Sequence, residues 1–207
     1  MSTDAAMAAD GLGVSVSGGL ADVVRGTTRW LVERWDADAV AWVRRRTGLV
    51  EPDGAVFREL GIASYRTTEH LGNAILSAGW TRVLNLVIGT AATQAFDATH
   101  TRIGVGDGTT AVTTADTTLT GSTNKYFKLV SGVGIVAAGA GPPTTTLTFS
   151  ASFGSSQGNF AWEKFGIDQG TSDGATEVAP LLNAAVSDQG TKASGQVWTA
   201  TAALSFT

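Results

Sequence analysis

Cysteine is absent from this chain, which excludes a disulfide framework, a thiolate zinc site and a cysteine nucleophile. Histidine is scarce: His70 and His100 stand thirty positions apart, and two distant histidines make a weak metal argument. Positive charge is in short supply, with 14 Lys and Arg against 18 Asp and Glu and a formal net charge of -4. The one cationic cluster is Arg44, Arg45 and Arg46. Binding to nucleic acid rests on clustered cations that neutralise phosphates, so no nucleic-acid partner is expected. Long apolar runs are missing as well. The most apolar stretch, 83–88, contains Asn85 and falls far below the ~20 residues that cross a bilayer. Asp4 and Asp10 occupy positions where a secretory signal would be basic and then apolar. The expectation is a soluble chain without signal-directed export and without a membrane partner.

What is present divides near residue 70. Most charged residues and three of the six Trp lie before it, and Thr, Ser, Gly and Ala dominate after it. Two segments are therefore expected: an N-terminal arm over 1–70 with one or two helices, and a β-domain over 71–207. Within the arm, GLGVSVSGG at 11–19 is too glycine-rich for a packed element. Leu31, Trp35, Ala39 and Trp42 at helical spacing predict an amphipathic helix over about 28–47, stopped by Gly48. Its three arginines suit the negative end of the helix dipole, and equally suit docking on an acidic neighbour. Glu51 to Gly54 has turn chemistry, and 56–68 reads as a pair of strands.

Trp80, Val83, Leu84, Val87 and Ile88 recur at i, i+3, i+4, i+7 and i+8, which predicts a helix over about 78–88 that closes one end of the core. From Thr101 onward the period becomes two. Leu147, Phe149, Ala151 and Phe153 alternate with Thr148, Ser150 and Ser152, and Trp198, Ala200, Ala202, Leu204 and Phe206 repeat the device. Between them the apolar parity changes from Phe160 and Trp162 to Phe165 and Ile167, which suggests a bulge. With 101–105, 125–130 and 181–186 as further strands, the expected fold is mainly β, an antiparallel sandwich or open barrel.

Several strings invite a chemical reading. Gly154-Ser155-Ser156-Gln157-Gly158 fits the nucleophile elbow of hydrolases, but a strand follows it and both histidines precede Ser156. Ser122 to Lys125 fits S-x-x-K without the partner motifs. Gly104 to Thr110 is glycine-rich like a phosphate loop, yet lacks the terminal G-K-[ST]. Asp168 to Gly174 with Glu177 loosely resembles a calcium loop, with Gly170 in a ligand position. A Glu163–Asp168 carboxylate pair has nothing to recommend it over hairpin charges. No catalytic, cofactor or metal residue is assigned.

The order GWTRVLNLVIG, TRIGVGDGTTAVTTADTTLTG, SASFGSSQGNFAWEKFGI and TKASGQVWTATAALSFT resembles a family of small tailed-bacteriophage virion proteins over about 71–207. It is similar, more distantly, to attachment domains of tail-fibre and collar proteins. Lys164 stands where relatives carry an acid before the aromatic-Gly pair. The resemblance implies a non-enzymatic virion component made in the host cytoplasm. The expectation is a capsid decoration or minor capsid protein, a symmetric homo-oligomer such as a trimer, tied to the major capsid protein or another virion protein by its arm. Trp30, Trp35 and Trp42 are the expected anchors, with Arg44, Arg45 and Arg46 beside them, because aromatic and arginine side chains dominate interface energetics; the equal alternative for the three Trp is packing of the helix on its own β-domain. The rivals are a tail, neck or fibre-attachment protein, and a carbohydrate-binding adhesion module using exposed Trp162 or Trp198.

Overall fold

The computed structural model describes residues 26–72, 74–90, 94–137 and 145–206; the glycine-rich string at 11–19 lies outside them. Among the described residues ten strands and three helices follow one another as β1 (Gly26–Trp35), α1 (Ala37–Thr47), α2 (Gly54–Glu59), β2 (Arg66–Leu71), β3 (Ala74–Ile75), α3 (Ser77–Val87), β4 (Thr101–Gly106), β5 (Lys125–Leu129), β6 (Gly132–Ala137), β7 (Thr145–Phe153), β8 (Lys164–Gln169), β9 (Asn183–Val186) and β10 (Val197–Phe206). They form two antiparallel sheets, β2-β1-β10-β7-β6 and β3-β9-β8-β4-β5. The chain is mainly β and its sheets are open, as a sandwich requires.

The first sheet follows from alternation. Trp198, Ala200, Ala202 and Leu204 of β10 stand opposite Phe153, Ala151, Phe149 and Leu147 of β7, so one buried face is built from both strands. Trp162 closes the centre, its ring edge-on to Phe153 at 4.7 Å and to Trp198 at 4.9 Å. The parity change before β8 is a gap in the strand, not a bulge. Ala161 bridges to Thr191 by itself, and β8 starts anew at Lys164.

In the second sheet β4 and β8 are buried along their whole length. Ile103, Val105, Phe165 and Ile167 turn into the sandwich. On the outward side Arg102, Gly104 and Gly106 oppose Asp168, Gly166 and Lys164. This side is covered by side chains from the segments before β5 and β9: Leu119 and Leu181 pack with Phe127. A Cβ on Gly166 would lie 2.9 Å from Leu181 Cδ1 and 3.0 Å from Leu119 Cδ2, so glycine there is a condition of the covering layer.

The first segment departs from expectation. Residues 26–35 are a strand, and the helix begins only at Ala37. Thr28, Trp30, Val32 and Arg34 alternate inward, and β1 pairs with β10 on one side and β2 on the other. Two neighbours satisfy its backbone groups without a helix. Asp36 then caps the helix, its carboxylate accepting from the Ala39 N–H at 2.8 Å. Residues 26–70 are therefore part of the sandwich and not an arm. The predicted strand pair at 56–68 is instead α2, capped by Asp53 at 3.1 Å, followed by β2. Phe57 of α2 stacks on Trp35 at 4.7 Å and 18°, and together with Val40, Val43 and Val197 they form a second small core beneath α1.

Helix α3 matches its predicted span but not its predicted seat. Val83 reaches the main core, whereas Leu84, Val87 and Ile88 are 48%, 78% and 75% exposed. Gly79 decides which face turns inward, because a Cβ there would lie 2.6 Å from the Leu181 carbonyl oxygen. Gly79→Ala is expected to cost about 1–3 kcal/mol by overpacking, measured by denaturant titration; an unchanged midpoint would mean that α3 is not seated by this contact.

Candidate functional site

The strings with a chemical reading resolve into structural ties. In the 154–158 turn, Gly154 N–H donates to Gln157 Oε1 and the Gly158 carbonyl accepts from Trp162 Nε1 at 2.9 Å. His100 bonds Asp97 at 2.8 Å and His70 belongs to β2, so no histidine is shown bonded to Ser156. Ser122 Oγ accepts from Gly108 N–H at 3.0 Å, and Lys125 pairs with Glu177 at 2.8 Å. Asp107 accepts from the N–H groups of Thr123 and Asn124, which ties the glycine-rich turn to the residues that enter β5.

The carboxylates of the calcium-like loop are also engaged. Asp173 takes the Lys128 ammonium and the Leu129 N–H, and Glu177 takes Lys125 and the Leu119 N–H. Asp168 meets Arg102 in a two-pronged ion pair, with Nε to Oδ1 at 2.9 Å and Nη2 to Oδ2. The same guanidinium donates to the carbonyls of Ser172 and Thr176, so one buried cation pins the segment after β8. Burial pushes the Asp168 carboxyl up, against the hydrogen bonds from Arg102 and the Val178 N–H that pull it down. Glu163 is not in this group; burial first, then its neighbour Asp188, raises its carboxyl. Among the described residues no cluster of three or more His, Asp or Glu side chains comes together for a metal, and no helix is long and apolar enough to cross a membrane.

Two lysines are buried, Lys164, noted in sequence only as a departure from the family pattern, and Lys192, which escaped the sequence reading. Lys164 donates to the Thr120 carbonyl at 2.6 Å, tying the segment before β5 to β8. Lys192 donates to the Gly154 carbonyl at 2.8 Å and to Asn159 Oδ1 at 2.7 Å. Burial lowers the Lys192 ammonium from 10.5 to about 8, with Glu51 pulling the other way. Lys164 is distinguished in sequence by its aromatic neighbours in FAWEKFG, whereas Lys192, in GTKAS, carries no such signal.

The expected anchors separate. Trp30 and Trp35 are core residues, 1% exposed each, because β1 lies between two strands and α2 covers its end. They offer no surface, and neither does Arg44 in full: it is half-buried, donating to Ser155 Oγ at 2.8 Å. Trp42 is 45% exposed, and Arg45 and Arg46 are exposed in the last turn of α1. Among the described residues none of these three has a partner. Leu49 and Val50, which follow α1, are exposed as well, Val50 at 79%. The rings of Trp162 and Trp198 are buried, so neither can stack on a sugar, and the adhesion reading loses its platform. At the other end, Ile75, Trp80, Val83, Leu86, Phe96 and Leu204 line a cavity of about 390 Å³ between α3 and the sandwich.

Asp168→Ala is expected to cost about 3–5 kcal/mol by leaving Arg102 buried and unpaired. Replacing both partners, Arg102→Met with Asp168→Leu, should recover only part of it in the same denaturant titration, because the Ser172 and Thr176 carbonyls and the Val178 N–H then lose their partners. For Lys192 the unfolded chain keeps its proton to the ordinary lysine range while the folded chain releases it from about 8. Its burial therefore penalises the fold below that value, and stability rises with pH from about 8 towards 10.5, by at most about 1.4 kcal/mol per pH unit. The parent should gain on Lys192→Met across that window; parallel stability curves would contradict the shift. Comparison with known protein families, curated proteins and solved structures finds no match for this chain.

Proposed function

We propose that this chain is a non-enzymatic structural component of a tailed-phage virion, a capsid decoration or minor capsid protein that associates with copies of itself and docks on a shell. The observation that carries the reading is the outer face of α1, where Trp42, Arg45 and Arg46 stand exposed and unpaired beside Leu49 and Val50. Exposed Trp and Arg are the residue types that anchor interfaces, and in a chain of net charge -4 two free arginines suit an acidic neighbour. The order of motifs over 71–207 supports the virion setting. The internal engagement of the polar groups in each chemistry-like string supports a subunit that holds surfaces together. The docking face moves from an arm to α1, since β1 and α1 are built into the sandwich.

The test is attachment to purified particles. Trp42→Ala combined with Arg45→Gln and Arg46→Gln should reduce the particle-bound protein at least about tenfold, the loss of 1.4 kcal/mol or more expected of anchors, with an unfolding midpoint lowered only by the small loss of helix-end charge. Full attachment of this variant would reject the α1 face. Densitometry separates decoration from a tail or neck position: decoration predicts on the order of hundreds of copies per particle, the tail a small multiple of three or six.

A further inference from the structure

We infer that the α3 end of the sandwich is the contact through which copies of this chain associate. The choice of a second copy as occupant rests on the self-associating subunit proposed above; the exposed face itself does not.

Helix α3 is apolar on both sides at its end. Val83 and Leu86 face the sandwich and its cavity, while Leu84, Val87 and Ile88 face outward and are half to mostly exposed. The outer side of α3 is polar at its start, with Ser77 and Thr81 exposed, and apolar at its end, and one chain leaves that apolar end uncovered. The spacing i, i+3, i+4 makes Leu84, Val87 and Ile88 one ridge, which fits the groove of an identical helix. Leu71, 70% exposed, ends β2 at the same end. It opposes Arg29, whose neighbour Thr28 opposes Leu204, and Leu204 shares the cavity wall with Trp80 and Val83.

Charge selects the occupant. The chain carries 18 acids, yet none lies between Glu69 and Asp97. The one charged side chain of α3, Arg82, turns back to donate to the Pro180 carbonyl at 3.3 Å. Two copies of a net acidic chain repel wherever their carboxylates meet, and this is a stretch where they approach without that cost. A charged partner finds no free group here to pair with. The same uncharged patch on two copies satisfies the self-complementarity of a two-fold contact, and its few apolar side chains form the kind of centre that carries interface energy.

The experiment uses the full chain without particles. Light scattering behind gel filtration should give an oligomer for the parent and a monomer of 21.2 kDa for Val87→Lys with Ile88→Lys. Both side chains are exposed and cations suit a helix C-terminus, so the unfolding midpoint should hold. Because the chain has no cysteine, Val87→Cys should give a covalent dimer on oxidation, whereas Trp42→Cys should not. A monomeric parent, an oligomeric double-Lys variant, or a parent that oligomerises only after removal of residues 1–25, which would make that segment the occupant, each overturns the inference. Particle attachment is read separately, on the variant changed at Trp42, Arg45 and Arg46: its full attachment speaks against the docking reading of α1 and leaves the oligomer result standing.

Discussion

A sheet buried on both faces must find a partner for every polar group it carries, and in this sandwich that requirement falls on β4 and β8. Their outward side sets Arg102 across from Asp168, Lys164 across from Gly106, and Gly104 across from Gly166. The guanidinium holds the carbonyls of Ser172 and Thr176, and the ammonium holds that of Thr120. These bonds draw two long segments down as a second layer, and Leu119, Leu181 and Phe127 then form a separate apolar cluster under them. The glycines at 104 and 166 permit the approach. Take the ion pair away and the layer loses both its anchor and the reason for its glycines.

That layer explains why glycine-rich and acidic strings in the chain look like ligand loops. A turn that must lie flat on a sheet needs the same residues as one that wraps a phosphate or a cation: glycine for closeness, Asp and Glu for backbone N–H groups. Asp107, Asp173 and Glu177 each accept from main-chain amides, so their chemistry is directed inward.

The strands of strongest alternation were legible, because β7 and β10 each bury one face and leave the other polar. The segment 26–47 was not, since it carries two periodicities at once. Leu31, Trp35 and Ala39 fit a helix, and Thr28, Trp30, Val32 and Arg34 fit a strand. What breaks the tie is β10, about 170 residues downstream of β1 and invisible to any local window; Asp36, a capping residue between the two patterns, was the local signal available. The candidate surface was legible in part for the same reason. Trp42 and the arginines lie on a helix whose outer face the sequence defines, whereas the burial of Trp30 and Trp35 depends on β10 and on Phe57. Helix α3 shows the converse: its apolar spacing was plain, but the Gly79 contact with Leu181 and Leu182 set the orientation.

The place of β10 between β1 and β7 has a consequence for biosynthesis. The final strand of the described chain is the centre of its sheet, so the sheet has no middle until residues 197–206 leave the ribosome. Until then β1 and β7 are open edges with apolar faces, the kind of surface that pairs with the wrong neighbour. Synthesis of residues 197–206 is thus the event that converts a set of unmatched edges into a closed sheet, and chains that stop short of them are expected to be cleared or to aggregate before they can enter any assembly.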